Sequence, residues 1–144
     1  MAEYIPSPRD WVREQVELYE RSGGTEGTTL RDTGLPVIIV THTGHKTGAI
    51  RKTPLMRVKD GDNYVLVGSQ GGAPEHPAWV HNLRVNPNVE IRDRTVVLPM
   101  RVREVENEAE RAHLWDLAVA AYPPYADYQA KTTRKIPVFV AEPK

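Results

Sequence analysis

PVIIVTHTGHKTGAIRKTPLMRVKDGDNYVLV, residues 36–67, holds three strand-like runs and two turns. Residues 36–42 are β-branched and buried in character. Residues 50–59 alternate more loosely, and Tyr64-Val65-Leu66-Val67 follows the turn Asp60-Gly61-Asp62-Asn63. This spacing predicts a meander of consecutive antiparallel strands. The first turn is the unusual one. It carries Gly44, His45, Lys46, Thr47 and Gly48, and residues 46–59 contain Lys46, Arg51, Lys52, Arg57 and Lys59 without one acid. A hairpin needs a glycine but not clustered cations. Backbone amides in a glycine turn, backed by lysine and arginine, suit a phosphate or a carboxylate. On the residues alone, a solvated hairpin and an anion site both stand. A P-loop is excluded, because His45 rather than glycine precedes Lys46 and a strand follows; G-x-G-x-x-G is absent.

Outward from this stretch, Ser7 reads as a helix N-cap with Pro8 at the first helical position. Trp11, Val12, Gln15, Val16, Leu18 and Tyr19 form an apolar stripe that Gly23-Gly24 ends. Residues 1–24 are therefore expected as an amphipathic helix, 25–35 as a flexible polar loop, and 36–144 as the barrel core of a single domain. Ser69-Gln70-Gly71-Gly72 is a second glycine-rich turn, and residues 76–83 read as a short helix with Pro77 near its start. Residues 89–92 and 95–105 read as a hairpin. Asn107 and Glu110 have capping-box spacing at the head of a helix that Pro123-Pro124 breaks. A short turn or helix then carries Tyr125 and Tyr128 before a last strand at 136–140. Strands dominate, with helices at the start, middle and end. The fold class expected is mainly β with flanking helices (α+β), a small barrel or half-barrel rather than a doubly wound sheet.

Composition narrows the function classes. Nineteen basic and nineteen acidic residues cancel, so no global field draws in nucleic acid. The chain has no cysteine, which removes disulfides, thiolate chemistry and cysteine metal sites and fits a reducing cytosol. No run approaches the roughly 20 apolar residues of a membrane span, and the first residues do not resemble a signal peptide. A cytoplasmic protein is expected. The N-terminal stripe, with Arg9, Arg13 and Arg21 beside it, suits either core packing or contact with the inner face of the cell membrane. His42 and His45 stand three apart, and His76 and His81 five apart, with no acidic partner near. Hydrogen-bonded or exposed histidines are expected, and no metal. Tyr122, Tyr125 and Tyr128 recur every three residues, as core residues or as an aromatic wall for a flat ligand.

Four stretches taken together resemble the deazaflavin (coenzyme F-420)-dependent nitroreductase and quinone reductase family of actinobacteria. They are Thr43-Gly44-His45-Lys46-Thr47-Gly48 with Arg51 and Pro54; Ser69-Gln70-Gly71-Gly72-Ala73; His76-Pro77-Ala78-Trp79 with Leu83, Asn86 and Pro87; and Tyr122-Pro-Pro-Tyr125-Ala-Asp-Tyr128-Gln followed by Arg134-Lys-Ile-Pro137. The resemblance covers residue 36 to the C-terminus. It implies a split β-barrel related to flavin-mononucleotide-binding oxidoreductases, and a deazaflavin cofactor whose tail carries a phosphate and several glutamates. The reaction implied is hydride transfer from the reduced cofactor to a quinone, a nitroimidazole or another nitroaromatic.

By the family's pattern, His45, Lys46 and Arg51 lie at the phosphate and tail, with Gly44, Thr47 and Gly48 as backbone donors. Pro54, Leu55 and Met56 run beside the deazaflavin ring. Ser69, Gln70, Gly71 and Gly72 line the channel, and Trp79 and Asn82 support it. Tyr122, Tyr125, Tyr128, Ser69 and Met56 are expected to shape the acceptor pocket, with the hydroxyl of Tyr128 or Ser69 as proton donor or hydrogen-bond partner. His45 stands where relatives often carry arginine, Gln70 where lysine occurs and Met56 where an aromatic occurs. Two alternatives remain: a flavin mononucleotide (FMN) oxidoreductase on the same barrel, and a non-catalytic deazaflavin-binding or storage protein. The assembly expected is a monomer or a homodimer.

Overall fold

A computed structural model describes residues 2–30 and 33–144 of the chain. Helix α1 (Asp10–Arg21) leads into β1 (Val37–Thr43), β2 (Ile50–Met56), β3 (Lys59–Asp60) and β4 (Asn63–Val67). Then come α2 (Ala78–Val85), β5 (Asn88–Asp93), β6 (Val96–Glu104), α3 (Glu108–Ala121), α4 (Pro124–Lys131) and β7 (Val138–Pro143). A short 3₁₀ turn, Gln70–Gly72, stands between β4 and α2.

All seven strands join one antiparallel sheet in the order β2-β1-β5-β6-β7-β4-β3. This corrects the expected meander: β4 pairs with β7 and β3, not with β2. The strand order still brings the two edges together. β2 and β3 stand at opposite ends of the order, yet only Arg57 and Val58 separate them in the chain. The sheet must curl until its edges meet. Val65 N donates to Val58 O at 2.9 Å across that seam.

Curling gives β1 two buried faces, which is why it reads as an unbroken apolar run. Val37 and Ile39 point outward to a layer holding Val16 and Tyr19 of α1, Leu114 of α3 and Tyr125 of α4. Ile38 and Val40 point inward to Trp79, Val80 and Leu83 of α2 and to Phe139 of β7. A fully buried aliphatic side chain of this kind contributes about 1.5–3 kcal/mol.

The helix begins two residues later than the sequence suggests. Arg9 occupies the N-cap without a side-chain cap, and Ser7 Oγ instead accepts from Arg9 N at 3.2 Å. The stripe of α1 faces the barrel: Val16 and Tyr19 are 2% and 0% exposed. Tyr19 OH donates to Val37 O and accepts from Arg94 N in the β5–β6 turn. Gly24, at φ +88°, fits against that same turn, where a Cβ would lie 1.8 Å from Arg94 O. Of the loop expected at 25–35, Arg31 and Asp32 lie outside the described residues. The rest is tied down by Gln15, whose amide donates to Gly27 O and Thr29 O, and by Ser22 Oγ, which accepts from Thr25 N and Glu26 N. Asn107 caps α3 as its spacing predicts, accepting from Glu110 N at 2.9 Å.

Candidate cofactor and acceptor site

The basic loop joins β1 to β2. Gly44 N donates to Ala49 O at 2.7 Å, Gly48 N donates to Gly44 O at 2.9 Å, and Thr47 Oγ1 accepts from Ala49 N. Gly48 has φ +73°, which favours glycine there. These bonds engage two of the three expected donors, Gly44 and Gly48. The amides of Gly44 and Gly48 are engaged within the loop, whereas those of Lys46 and Thr47 have no acceptor among the described residues. Lys46 is exposed, and neither it nor Arg51 meets an acid among the described residues. Strand alternation separates Arg51 from its neighbour. Lys52 faces α1 and is bound by Glu20 at 2.5 Å. Arg51 pairs in register with His42, on the opposite face.

Asn82 anchors the loop to α2. Its Oδ1 accepts from His45 N at 2.9 Å and from His45 Nδ1 at 2.6 Å, while its Nδ2 donates to His42 Nδ1 at 3.1 Å. His42 Nε2 must then carry the proton and donates to Thr53 Oγ1 at 3.0 Å. The chain Thr53–His42–Asn82–His45 thus ties β2, β1, α2 and the loop together. Burial, and next the nearby Arg51 charge, lower the His42 pKa from 6.5 to about 4, so the ring is neutral. Trp79 stacks obliquely on Phe139 inside the barrel, 5.8 Å between centroids. It supports α2 from the core. Among the described residues no group of three or more His, Cys, Asp or Glu side chains is placed to hold a metal ion.

The second glycine turn leaves the end of β4. Ser69 is 7% exposed, while Gln70 and Gly71 lie at the surface. Gly72, at φ +79°, abuts the backbone of Tyr128, where a Cβ would stand 2.9 Å from the carbonyl oxygen. Only glycine permits α4 to pack this closely. The turn's carbonyls converge on Arg134, and His76, His81 and His45 form a row leading back to the basic loop with centroids 6.0 and 5.8 Å apart.

On α4 and just before it, the tyrosines gather. Tyr122 and Tyr128 share a hydroxyl–hydroxyl bond of 3.1 Å, and Tyr125 sets its ring edge-on to both. Tyr125 is 5% exposed and packs with Met56 in the outer core layer, against which Tyr122 and Tyr128 are half-buried. The hydrogen bond shared with Tyr122, and then burial, push the Tyr128 hydroxyl up to about 12. Burial also raises Tyr125. Both stay protonated at neutral pH. Strand alternation divides the expected lining at 54–56: Met56 joins the tyrosines, Pro54 shares its face, and Leu55 packs against the inner core beside Arg51 and Thr53.

The sequence gives no role to Arg134 or Thr53, and for His42 only the expectation of a hydrogen-bonded or exposed ring, of which the buried, hydrogen-bonded one is found. Arg134 stood in a recognised stretch, but nothing in its spacing shows what a single guanidinium will reach.

Residues 11–143 match the family model described as F420H(2)-dependent quinone reductase. An F420H(2)-dependent quinone reductase of Mycobacterium tuberculosis (strain ATCC 25618 / H37Rv) is 36% identical over 126 residues, covering 85% of this chain and 83% of that protein. A solved structure of an F420-H2 dependent reductase, FDR-A, is 52% identical and superposes with a TM-score of 0.70, covering 74% of this chain and 94% of that one. Another, described as a domain-swapped dimer, is 50% identical with a TM-score of 0.73, covering 94% of this chain and all of that one. At 15% identity and a TM-score of 0.54, a FAD-binding protein from Mesorhizobium loti shares the fold over 75% of this chain and 80% of its own.

Proposed function

Because the chain belongs to the F420H(2)-dependent quinone reductase family, we propose that its loop, glycine turn and tyrosine cluster form one site for quinone reduction. When bound, the reduced deazaflavin supplies a hydride to an electron-poor acceptor. The residues present fit such a cofactor. Among the described residues Lys46 and Arg51 meet no acid and the Lys46 and Thr47 amides no acceptor, a donor set suited to a phosphate and carboxylates. That set is the observation carrying the proposal.

His45, held by Asn82 with its Nδ1 proton turned inward, completes the rim of the loop, with Gly44 and Gly48 shaping it. Leu55 and Pro54 continue along β2, and Ser69, Gln70, Gly71 and Gly72 form the wall against α4. Met56, Tyr122, Tyr125 and Tyr128 give the acceptor an apolar, aromatic face. The protonated hydroxyl of Tyr128, or that of Ser69, hydrogen-bonds the acceptor oxygen that gains charge. Nitroimidazoles and other nitroaromatics are flat and electron-poor too, and we include them as acceptors.

A homodimer is the assembly we propose, on the likeness to the chain described as a domain-swapped dimer. Contact of α1 with a membrane has less support, because Val16 and Tyr19 lie in the core. Among the described residues no helix is long and apolar enough to cross a membrane.

Fluorescence titration with F420 tests the anion site. Lys46→Ala removes a charge-assisted hydrogen bond worth about 1.5–3 kcal/mol, and the affinity should fall by about tenfold or more. Unchanged affinity would place the tail elsewhere. A panel of menadione and nitroaromatics, followed by cofactor absorbance, then reads the acceptor class.

A further inference from the structure

Arg134 lies between α4 and β7, and its guanidinium holds one segment of backbone from behind. Nε donates to Ala73 O at 2.8 Å, Nη1 to Gly68 O at 3.1 Å and Nη2 to Ser69 O at 2.7 Å. Nη1 also donates to His76 Nδ1 at 2.8 Å. Arg134 is itself fixed: Gln129 Nε2 donates to its carbonyl at 2.8 Å, and Gln129 Oε1 accepts from Ile136 N at 3.0 Å. No acid pairs with it among the described residues, whereas Arg13, Arg57, Arg84, Arg92 and Arg103 each meet one. All four of its guanidinium bonds among the described residues go to neutral acceptors.

The segment it holds needs holding. Gln70, Gly71 and Gly72 have φ of 44°, 63° and 79°, three left-handed residues in succession. For a residue with a side chain, such as Gln70, that conformation costs roughly 1–2 kcal/mol. The turn's own backbone bonds are two, Gly72 N to Ser69 O and Ala73 N to Gln70 O. Strained backbone of this kind persists only where its surroundings fix it. Ser69 and Gln70 take their positions from this turn, and Gly72 sets the distance to Tyr128. The contact with His76 extends the same hold toward His81 and His45 at the basic loop.

We infer that Arg134 is a positioning residue for hydride transfer, acting through the Gly68–Ala73 turn to set the cofactor wall and the Tyr128 helix relative to each other. This rests on the proposed site. Its planar fork is the essential property, because three carbonyls and an imidazole nitrogen approach it from different directions. Lysine offers charge without that geometry.

The test uses the full chain with F420 and menadione. Arg134→Lys and Arg134→Ala are compared with the unaltered protein by circular dichroism, by F420 titration, and by the single-turnover rate of cofactor oxidation at saturating F420. Expected for both variants are a native spectrum, F420 affinity lowered about tenfold, and a rate per bound cofactor lowered by a similar factor that saturation does not restore. Millimolar guanidinium should restore much of the rate to Arg134→Ala in a saturable way, and equal methylammonium should not. A clamp that serves stability alone would change the folded fraction but leave the rate per bound cofactor at its original value, and that result would overturn the inference. Should Arg134→Ala not fold, an unchanged rate per bound cofactor in Arg134→Lys has the same force. If the unaltered protein binds no F420, the proposed site falls and this role with it. If it binds and turns over while both variants match it, only the role of Arg134 falls.

Discussion

Acid should weaken this protein through one histidine. The His42 imidazole has an ordinary pKa of 6.5 and is lowered to about 4 in the fold. Between those values the unfolded chain binds the proton and the folded chain does not. The stabilisation is therefore fully present above pH 6.5 and is lost as pH falls toward 4. The full gap corresponds to about 3 kcal/mol, of which about 2 kcal/mol is gone by pH 5. Against a typical domain stability of about 5–15 kcal/mol, a loss of that size is measurable.

The assay is urea unfolding at pH 7, 6 and 5 for the unaltered chain and for His42→Asn, which keeps an acceptor near Asn82 without a titrating ring. The unaltered chain should lose about 2 kcal/mol more than the variant between pH 7 and 5. Cofactor affinity should follow, because a protonated His42 presents a donor to Asn82 Nδ2 and turns the amide that holds His45. Parallel losses in the two proteins, or a His42 ring proton signal titrating above pH 6, would show that His42 is not the group responsible.

The glycine turn and the tyrosine pair yield two more expectations. Gly72→Ala should cost about 1–3 kcal/mol in thermal or urea unfolding, since it adds left-handed strain and a Cβ 2.9 Å from Tyr128 O. Gly71→Ala, with φ +63° but nothing within 4 Å of the added carbon, should cost only the strain, about 1 kcal/mol; equal losses would mean that α4 does not depend on that close approach. Tyr128→Phe removes one hydroxyl of the 3.1 Å pair and should leave F420 affinity intact while lowering turnover with menadione about tenfold. Unchanged turnover and acceptor KM would assign the hydroxyl to structure alone.

The strands of this chain were legible because periodicity reports burial. Val37-Ile-Ile-Val40 is apolar at every position because the curled sheet gives it two covered faces, and Asn107 announces α3 because a cap is a local interaction. Pairing is not local. Nothing in residues 57–67 shows that β4 will reach past β2 to β7, because that choice is made by the C-terminal strand and its register, Val67 opposite Val138. The site divides the same way. Lys46 and Arg51 could be picked out from the basic run, but a glycine's presence did not show that Gly44 N and Gly48 N would bond within their own loop. Asn82 came from the family's pattern; its partners His42 and His45 lie 40 and 37 positions away and could not be read from spacing. The convergence of Gly68, Ser69, Ala73 and His76 on Arg134 spans 58 to 66 positions, and no local rule reaches that far.

A zero net charge hides how the charges are arranged. Six acids are taken by cations away from the loop: Glu20 by Lys52 and Arg92, Asp93 by Arg57, Glu104 by Arg84, Glu108 by Lys135, Glu110 and Glu142 by Arg103. Exposed and part-exposed pairs of this kind are screened by solvent and salt, so stability is not their main consequence. Their larger effect is on what remains. Lys46, Arg51 and Arg134 are among the cations left without an acid among the described residues, and Arg51 is felt at His42, where it helps to keep the ring neutral. Charge separation of this kind survives physiological salt only over about 8 Å. A positive field can therefore greet an anion at the loop while the chain as a whole attracts none. The alternation of β2 makes that possible in the fewest residues: one step along the strand, Lys52 is locked to α1, and Arg51 is left for the site.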